Sequence, residues 1–344
     1  MSLFISNLVL GEKIGEGCFG EVFLGQDPVQ GEVATKVLKK HPSATAAAWA
    51  FQKSKWLEEA QLIKKSQHRN VVPVYHFVES DKDDTVLYVM EYCSGGCLAG
   101  AYESGPMLSS EVKRIATDVA SGVQAIHDTG LLHRDIKPSN ILRSSRGIAK
   151  ISDFGWVTDR LILGYGSALG YLDHMPPEVH KGDPTSVKSD VWAIGMTLFR
   201  LLHGRKWYDV SPAPRHVIGN GGYADVLRWL PHVSKPWRRA IRAMLRDQPE
   251  DRLQTCQQVM EALAALPPDH DWSCTVGPDE ITWTRTAKKR NLHVHWSRPG
   301  VKDNRWTARS SPIGAVGRTH TLAGSDGLVT LIEAQKQLEK YFTQ

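Results

Sequence analysis

Disulfide chemistry has little to work with in this sequence. Its 344 residues hold five Cys, an odd number, and no CxxC pair. A disulfide scaffold and a zinc ribbon are thereby excluded, and a reducing compartment is expected. Long apolar runs are missing too. The longest, around Val191 to Phe199, stops at Arg200, far short of the ~20 residues a membrane span needs. The opening MSLFISNLVLGEKIG has no basic leader before its apolar stretch, so no signal peptide is expected. Neither sign of charge dominates: 42 Lys and Arg stand against 37 Asp and Glu, a net +5. That is too weak by itself to argue for nucleic acid or a charged membrane surface. Internal repeats and low-complexity tracts are absent.

What is present is an ordinary globular composition, 41% hydrophobic and 23% charged, with enough apolar chain for a sizeable core. The length predicts two or three domains. LVLGEKIG, EVFLG, EVATKVL, VVPVYHFV and TVLYVMEY read as short strands, interrupted by one helix from about Ala46 to Ser66. After Gly96 the period changes. Val112, Ile115, Ala116, Val119, Val123 and Ile126 recur at helical spacing, with Ser109 or Ser110 as a cap and Gly130 as a stop. Further helices are predicted through SDVWAIGMTLFRLLHG to Gly204, through WRRAIRAMLRD, and from about Gln254 to Leu266. A β-rich part before a helical part predicts an α+β chain with two lobes. Pro267 and Pro268 close it. Residues 269–344 read as a small separate αβ module, with strands ITWTRT and NLHVHWS joined by AKKR, a third at RWTARS, and a helix from Gly327 to Tyr341.

GEGCFGEV, Gly15 to Val22, lies between two strand-like runs. Gly15, Gly17 and Gly20 allow a hairpin to lie over a polyphosphate with its amides facing the oxygens. A dinucleotide turn shares these letters but needs a helix next; here EVFLG continues as a strand. A plain glycine-rich hairpin is the alternative. On the next strand Ala34 and Lys36 share one face of the pleat. That face suits a flat base beside a phosphate; the alternative is a solvated lysine. A buried lysine needs an acid. In KWLEEAQLIKK, Glu59 lies one turn before Ile63 on the inner face and is preferred to Glu58.

LLHRDIKPSNIL, residues 131–142, packs polar groups between hydrophobic flanks, and Pro138 forbids a regular helix there. Such clusters are costly unless they bind something or each other. KISDFGW follows, with Asp153 before Gly155. Asn140 and Asp153 offer hard oxygens of the kind Mg²⁺ takes while holding substrate phosphates. Asp135 is left to receive a hydroxyl proton, and Lys137 can neutralise a transferring phosphoryl group. Surface salt bridges on turn-rich loops are the alternative for either segment alone.

In this order the motifs resemble the eukaryotic-type protein kinases: glycine loop, strand lysine, HRD with its Asn, and DFG. The resemblance covers about residues 8–266 and implies a bilobal kinase fold, with lobes over 8–92 and 93–266 and the C-terminal module over 269–344. It implies that Lys36 holds the α and β phosphates of ATP and pairs with Glu59. Asp135 is then the base, and Asn140 and Asp153 are the Mg²⁺ ligands. Val22, Ala34 and Leu142 would sandwich adenine, with Met90 as gatekeeper and Glu91 and Cys93 in the hinge. Ile63, Val74, His133 and Phe154 would form the regulatory stack. PPE at Pro176 to Glu178 matches the family's APE, whose Glu partners Arg252, and Asp190 matches the Asp that braces the catalytic loop. HRDIKPSN with Lys137 looks like the serine/threonine subgroup, implying transfer to protein hydroxyls and autophosphorylation. A nucleotide-binding pseudokinase scaffold is the second reading, and a small-molecule phosphotransferase the third.

One departure stands out. GYLDHMPPE places Tyr171 where the family has Thr, and His174 where it has Tyr, which puts the peptide-docking loop in question. Thr158, Tyr165, Ser167 and Tyr171 offer phosphorylation sites near Arg134. Cys18, Cys93 and Cys97 surround the expected cleft and read as reduced thiols. The C-terminal module carries 11 Lys and Arg against 8 Asp and Glu, a net +3. Nucleic acid is not the expected partner, since Trp on strands is usually core. His293 and His295 alternate on a strand, without the Cys or acids a metal site needs. A docking or regulatory role is expected for the module, and a cytoplasmic location for the chain.

Overall fold

Period-2 sequence becomes sheet at both ends of the chain, and period-3.6 sequence becomes helix between them. The computed structural model describes residues 8–17, 20–65, 67–80, 85–153, 175–212, 214–217, 221–268, 270–314 and 317–343. These fall into two compact units. The first comprises described residues within 1–97, 118–136 and 140–171. The second comprises those within 98–117, 137–139 and 172–344.

The first unit is built on β1 (Val9–Gly17), β2 (Gly20–Asp27), β3 (Gly31–Lys39), β4 (Val74–Ser80) and β5 (Thr85–Glu91). They form one antiparallel sheet in the order β1-β2-β3-β5-β4. The predicted helix is α1 (Ala46–Lys65), opened by Thr45, whose Oγ1 accepts from Ala48 N at 3.1 Å. Trp49 and Trp56 of α1 meet edge to face at 5.5 Å and bury against Leu38, Val72, Val86 and Tyr88. β6 (Ile141–Arg143) and β7 (Ala149–Ile151) pair as a short hairpin.

α2 (Leu98–Ser104) opens the second unit; α3 (Ser109–His127) begins in the second unit and from Asp118 onward belongs to the first. α3 buries the predicted stripe from Val112 to Ile126, and Gly130 stands beyond its end at φ 80°. Asp271 receives the Ser110 amide at 3.0 Å at the start of α3. α4 (Val187–Tyr208) is buried nearly all round, as its apolar run from Val191 to Phe199 requires. The expected stop at Gly204 is a kink (φ 68°, ψ 166°) after which one short turn continues. A Cβ at Gly204 would lie 2.5 Å from the Gly105 backbone, so no other residue fits. α5 (Lys235–Met244) and α6 (Cys256–Ala264) complete the helices used below, α6 capped by Thr255.

Residues 273–342 form a meander closed by a helix. β8 (Ser273–Val276), β9 (Glu280–Ala287), β10 (Arg290–Ser297), β11 (Arg305–Pro312) and β12 (His320–Gly324) lie in the order β12-β11-β10-β9-β8. β8 and β12 add to the three predicted strands. α7 (Leu331–Phe342) begins four residues later than expected because Thr330, not Gly327, supplies the cap. Ala287 pairs with Arg290, leaving Lys288 and Lys289 as a two-residue turn. Both hold left-handed backbone, at φ 47° and 61°, as a type I′ hairpin demands.

The meander and α7 bond to the helices of the same unit. Trp283 donates to His232 Nδ1 at 2.9 Å, Gln335 donates to the Trp229 carbonyl at 3.0 Å, and Arg238 pairs with Glu339 at 2.7 Å. Behind them His203 is fully buried, stacked on Phe199 at 4.2 Å and edge-on to Trp229 at 5.3 Å. Its Nδ1 donates to the Phe199 carbonyl at 2.7 Å. Burial pushes the His203 imidazole down to about 3; the Phe199 carbonyl opposes this, and His232 and Arg238 add to it. His232, half-buried, is likewise pushed down to about 3 by burial and by Arg238.

Both folded values lie below the ordinary 6.5, so the unfolded chain binds these protons first. Stability is therefore complete above pH 6.5 and falls as pH drops towards 3, by about 1.4 kcal/mol per pH unit for each His. Urea unfolding at pH 7.5, 6 and 5 should show this loss. His203→Leu should flatten the slope by about one such increment; an unchanged slope would contradict the assignment.

Candidate functional site

In the first unit the glycine hairpin is set by its neighbours. Gly15 pairs with Val22 and Gly17 with Gly20 across β1 and β2. A Cβ at Gly20 would fall 2.0 Å from the Val37 carbonyl oxygen, and its φ is 151°. Only glycine allows β2 to start so close to β3. Cys18 lies outside the described residues.

Below the hairpin, register brings the expected base-binding residues together. Val22 pairs with Lys36, and Ala34 with Met90. Ala34, Met90 and Cys93 share one apolar cluster, with Val22, Val74 and Leu142 packed against it. Leu142 reaches it because Cys97 bridges to Leu142, and Gly95 and Gly96 exchange backbone bonds with Arg143 at 2.9 and 2.8 Å. The Glu91 carboxylate is tied to Lys150 at 2.6 Å. Its amide donates to the Pro73 carbonyl at 3.1 Å. Burial, with Glu91 beside it, pushes the Cys93 thiol up to about 12, against the opposing Lys150. Cys93 is thus an inert thiol, whereas Cys97 is exposed.

Lys36 is 3% exposed, and its Nζ lies 2.6 Å from Asp153 Oδ1. The acid this buried lysine requires therefore includes Asp153, far along the chain. The side chains of Glu59 and Ile63 lie outside the described residues, as do Phe154, Thr158, Tyr165, Ser167, Tyr171 and His174. Asp153 sits at φ 55°, left-handed for a non-glycine residue, and Arg134 likewise at 67°.

The polar loop is wired through backbone. His133 is fully buried; its Nε2 donates to the Ser152 carbonyl at 3.1 Å, and its Nδ1 accepts from Asp135 N at 3.2 Å. Asn140 Nδ2 donates to the Asp135 carbonyl at 2.9 Å and to its Oδ2 at 2.7 Å. Ser152 returns two bonds to the Asn140 carbonyl, from N at 2.9 Å and from Oγ at 3.2 Å. Asp135, Asn140 and Asp153 are thereby fixed to one frame. Lys137, half-buried, belongs to the second unit, two residues along the chain from Asp135.

Three residues that sequence reasoning did not single out hold this frame. Asn70 is 2% exposed, and its Nδ2 donates to the Ala149 carbonyl at 2.9 Å. Its own carbonyl accepts from Ile151 N at 2.8 Å. Asp118 accepts from Ala149 N at 3.1 Å, and Ser152 joins His133 to Asn140. No local sequence pattern marks Asn70, Asp118 or Ser152.

In the second unit the expected Glu178–Arg252 pair is present. Arg252 Nη1 and Nη2 meet the two carboxylate oxygens at 2.8 and 2.6 Å, and Ser189 also donates to Glu178 at 2.8 Å. The remaining Arg252 donors go to the carbonyls of Arg246, Lys188 and Asp247. All five guanidinium N–H groups are used. Burial pushes the Glu178 carboxyl up, but Arg252 more than offsets this and holds it below the ordinary value. Asp190, 1% exposed, lies on the first turn of α4.

The first unit thus holds a glycine hairpin, a buried strand lysine paired with Asp153, and a polar loop wired through Asn140 and His133. The protein kinase domain model matches residues 8–263, and the chain belongs to that family. Similar proteins include the serine/threonine-protein kinase PrkC of Bacillus subtilis, 32% identical over 259 residues, which are 72% of this chain and 38% of that protein. The serine/threonine-protein kinase pkn2 of Myxococcus xanthus is 32% identical over 267 residues, 73% of this chain and 31% of that one. The serine/threonine-protein kinase ssp1 of Schizosaccharomyces pombe is 33% identical over 226 residues, 60% and 35%. The chain thus spans about a third of the length of these relatives. Among the described residues no helix is long and apolar enough to cross a membrane.

Removing one partner of a buried, fully bonded ion pair strands the other charge, at about 3–5 kcal/mol. Arg252→Ala should destabilise the chain by that amount in urea unfolding at pH 7. Arg252→Lys should recover little, because an ammonium cannot replace the fork. A loss below about 1 kcal/mol would contradict the burial described.

Proposed function

We propose that the chain is an ATP-dependent serine/threonine protein kinase that phosphorylates protein hydroxyls, its own included. The observation that carries this reading is the Asp135 carboxylate held by Asn140 at 2.7 Å, with the Asp135 carbonyl held by the same amide at 2.9 Å. A carboxylate so oriented is a positioned base. HRDIKPSN, with Lys137, and the names of the relatives above support the choice of Ser and Thr.

In this reading Gly15, Gly17 and Gly20 cover the phosphates, and Lys36, with Glu59 as a further partner, neutralises them. Val22, Ala34 and Leu142 enclose adenine, with Met90, Glu91 and Cys93 along its edge. Asp135 takes the proton of the substrate hydroxyl as that oxygen bonds to the γ-phosphorus and the bond from phosphorus to the ADP oxygen breaks. Lys137 neutralises the charge on the moving phosphoryl group. The residues also fit Mg²⁺. Asn140 and Asp153 carry hard side-chain oxygens of the kind Mg²⁺ takes, and the Asp153 side chain is 37% exposed beside Lys36. Bound there by Asn140 and Asp153, Mg²⁺ would supply charge neutralisation on the phosphates. We assign lobes over 8–92 and 93–266 and a docking or regulatory module over 269–344. A cytoplasmic setting is supported by Cys93, Cys97 and Cys274 being thiols rather than disulfides.

Purified chain with γ-labelled ATP, Mg²⁺ and a basic protein substrate should transfer label to Ser or Thr. Asp135→Asn should lower kcat by about 10²–10⁴-fold while leaving nucleotide affinity within about twofold. Nucleotide binding without any Asp135-dependent label would replace the enzyme reading with that of a nucleotide-binding scaffold.

A further inference from the structure

The inner face of the C-terminal sheet is shared between two kinds of residue. Register defines four rows across β9, β10 and β11. The first is Ile281, Trp296 and Trp306; the second is Trp283, Val294 and Ala308. These six are buried, with Trp306 bonded to Gln337 of α7 at 2.7 Å. The third row is Arg285, Leu292 and Ser310; the fourth is Ala287, Arg290 and Pro312. Here a cavity of about 590 Å³ opens, walled by Tyr341 and Phe342 at the end of α7.

The lining is both apolar and cationic: Ala287, Leu292 and Leu322 on one hand, Arg285, Lys288 and Arg290 on the other. No carboxylate lines it, and none of these three cations has an ion-pair partner among the described residues. Arg285 is aimed by Trp272, with its guanidinium 5.8 Å from the indole centroid. Arg290 is anchored through Nε to Ser310 Oγ at 3.0 Å and through Nη2 to the Ser310 and Arg318 carbonyls at 3.0 and 2.8 Å. Its Nη1 makes no hydrogen bond among the described residues. Nor does the Tyr341 hydroxyl, at the same wall.

We propose that this groove binds a phosphoserine or phosphothreonine side chain of a protein partner, with an apolar neighbour of that residue against Leu292 and Leu322. Two guanidinium groups and an ammonium without anions suit a dianion, and the rigid fork of Arg suits phosphate oxygens. The cations cluster at one depression instead of tracking a backbone, which favours one phosphorylated side chain over nucleic acid. The choice of phosphate source rests on the kinase reading, because that reaction produces these groups. The module would then hold a partner that has already been phosphorylated.

The test uses the full chain without ATP, applied to immobilised degenerate peptide pools centred on phosphoserine or phosphothreonine and to the same pools unphosphorylated. Selective retention on the phosphorylated pools is expected. Arg285→Gln and Lys288→Gln should each weaken it by about tenfold, and Lys288→Arg should preserve it. Unfolding midpoints of the variants check their folding, and label transfer to a short peptide should stay within about twofold. Equal retention on both pools, or retention untouched by Arg285→Gln and Lys288→Gln together, overturns the proposal. So does binding confined to DNA or to phosphatidylserine vesicles. Label transfer is read separately, so an inactive chain that still selects phosphopeptides would sink the kinase reading and leave the groove standing.

Discussion

A polar loop can be buried between hydrophobic flanks only if its donors and acceptors find each other, and the site depends on this constraint. His133 spends one ring nitrogen on the Ser152 carbonyl and the other on the Asp135 amide. Ser152 bonds to the Asn140 carbonyl, and Asn140 bonds back to Asp135. The circuit closes without using both Asp135 carboxylate oxygens on Asn140, so it aims that side chain while satisfying the backbone around it. Removing a buried partner from such a network leaves the other exposed to a desolvation penalty. That penalty makes the geometry stiff, and a base that must meet a hydroxyl within hydrogen-bond reach benefits from stiffness.

Much of this was legible in the sequence because local chemistry announced it. Gly20 has no alternative residue against the Val37 carbonyl, and Pro138 forbids helix through the polar loop. Lys36 on a buried face demanded an acid. The identity of one such acid was harder to read. Helical spacing pointed to Glu59, whereas Asp153 reaches Lys36 across 117 residues of sequence, a closure no local pattern encodes. Asn70 was missed for the same reason, since its amide serves the Ala149 carbonyl 79 residues away.

The C-terminal segment shows a different limit. Alternation identified β9, β10 and β11 because Trp, Ile and Val mark their inner face. β8 has four residues and β12 lies exposed at the sheet edge, so neither carries enough buried apolar residues to stand out. The Arg285 and Arg290 positions continue the inward alternation of their strands, yet by composition alone they look like solvated surface. Register then shows that they fall in adjoining rows of that face, Arg285 beside Leu292 and Arg290 beside Ala287.

The turn that joins β9 to β10 gives that hairpin a gradient of rigidity. Its root lies under α7, with indoles locked in the core. Its tip is two lysines in left-handed backbone, each about 1 kcal/mol less favourable there than glycine. Opening should therefore begin at the tip and die out towards Trp283 and Val294. The hairpin behaves as a clamped lever, stiff where it supports the sheet and compliant where its charges meet solvent.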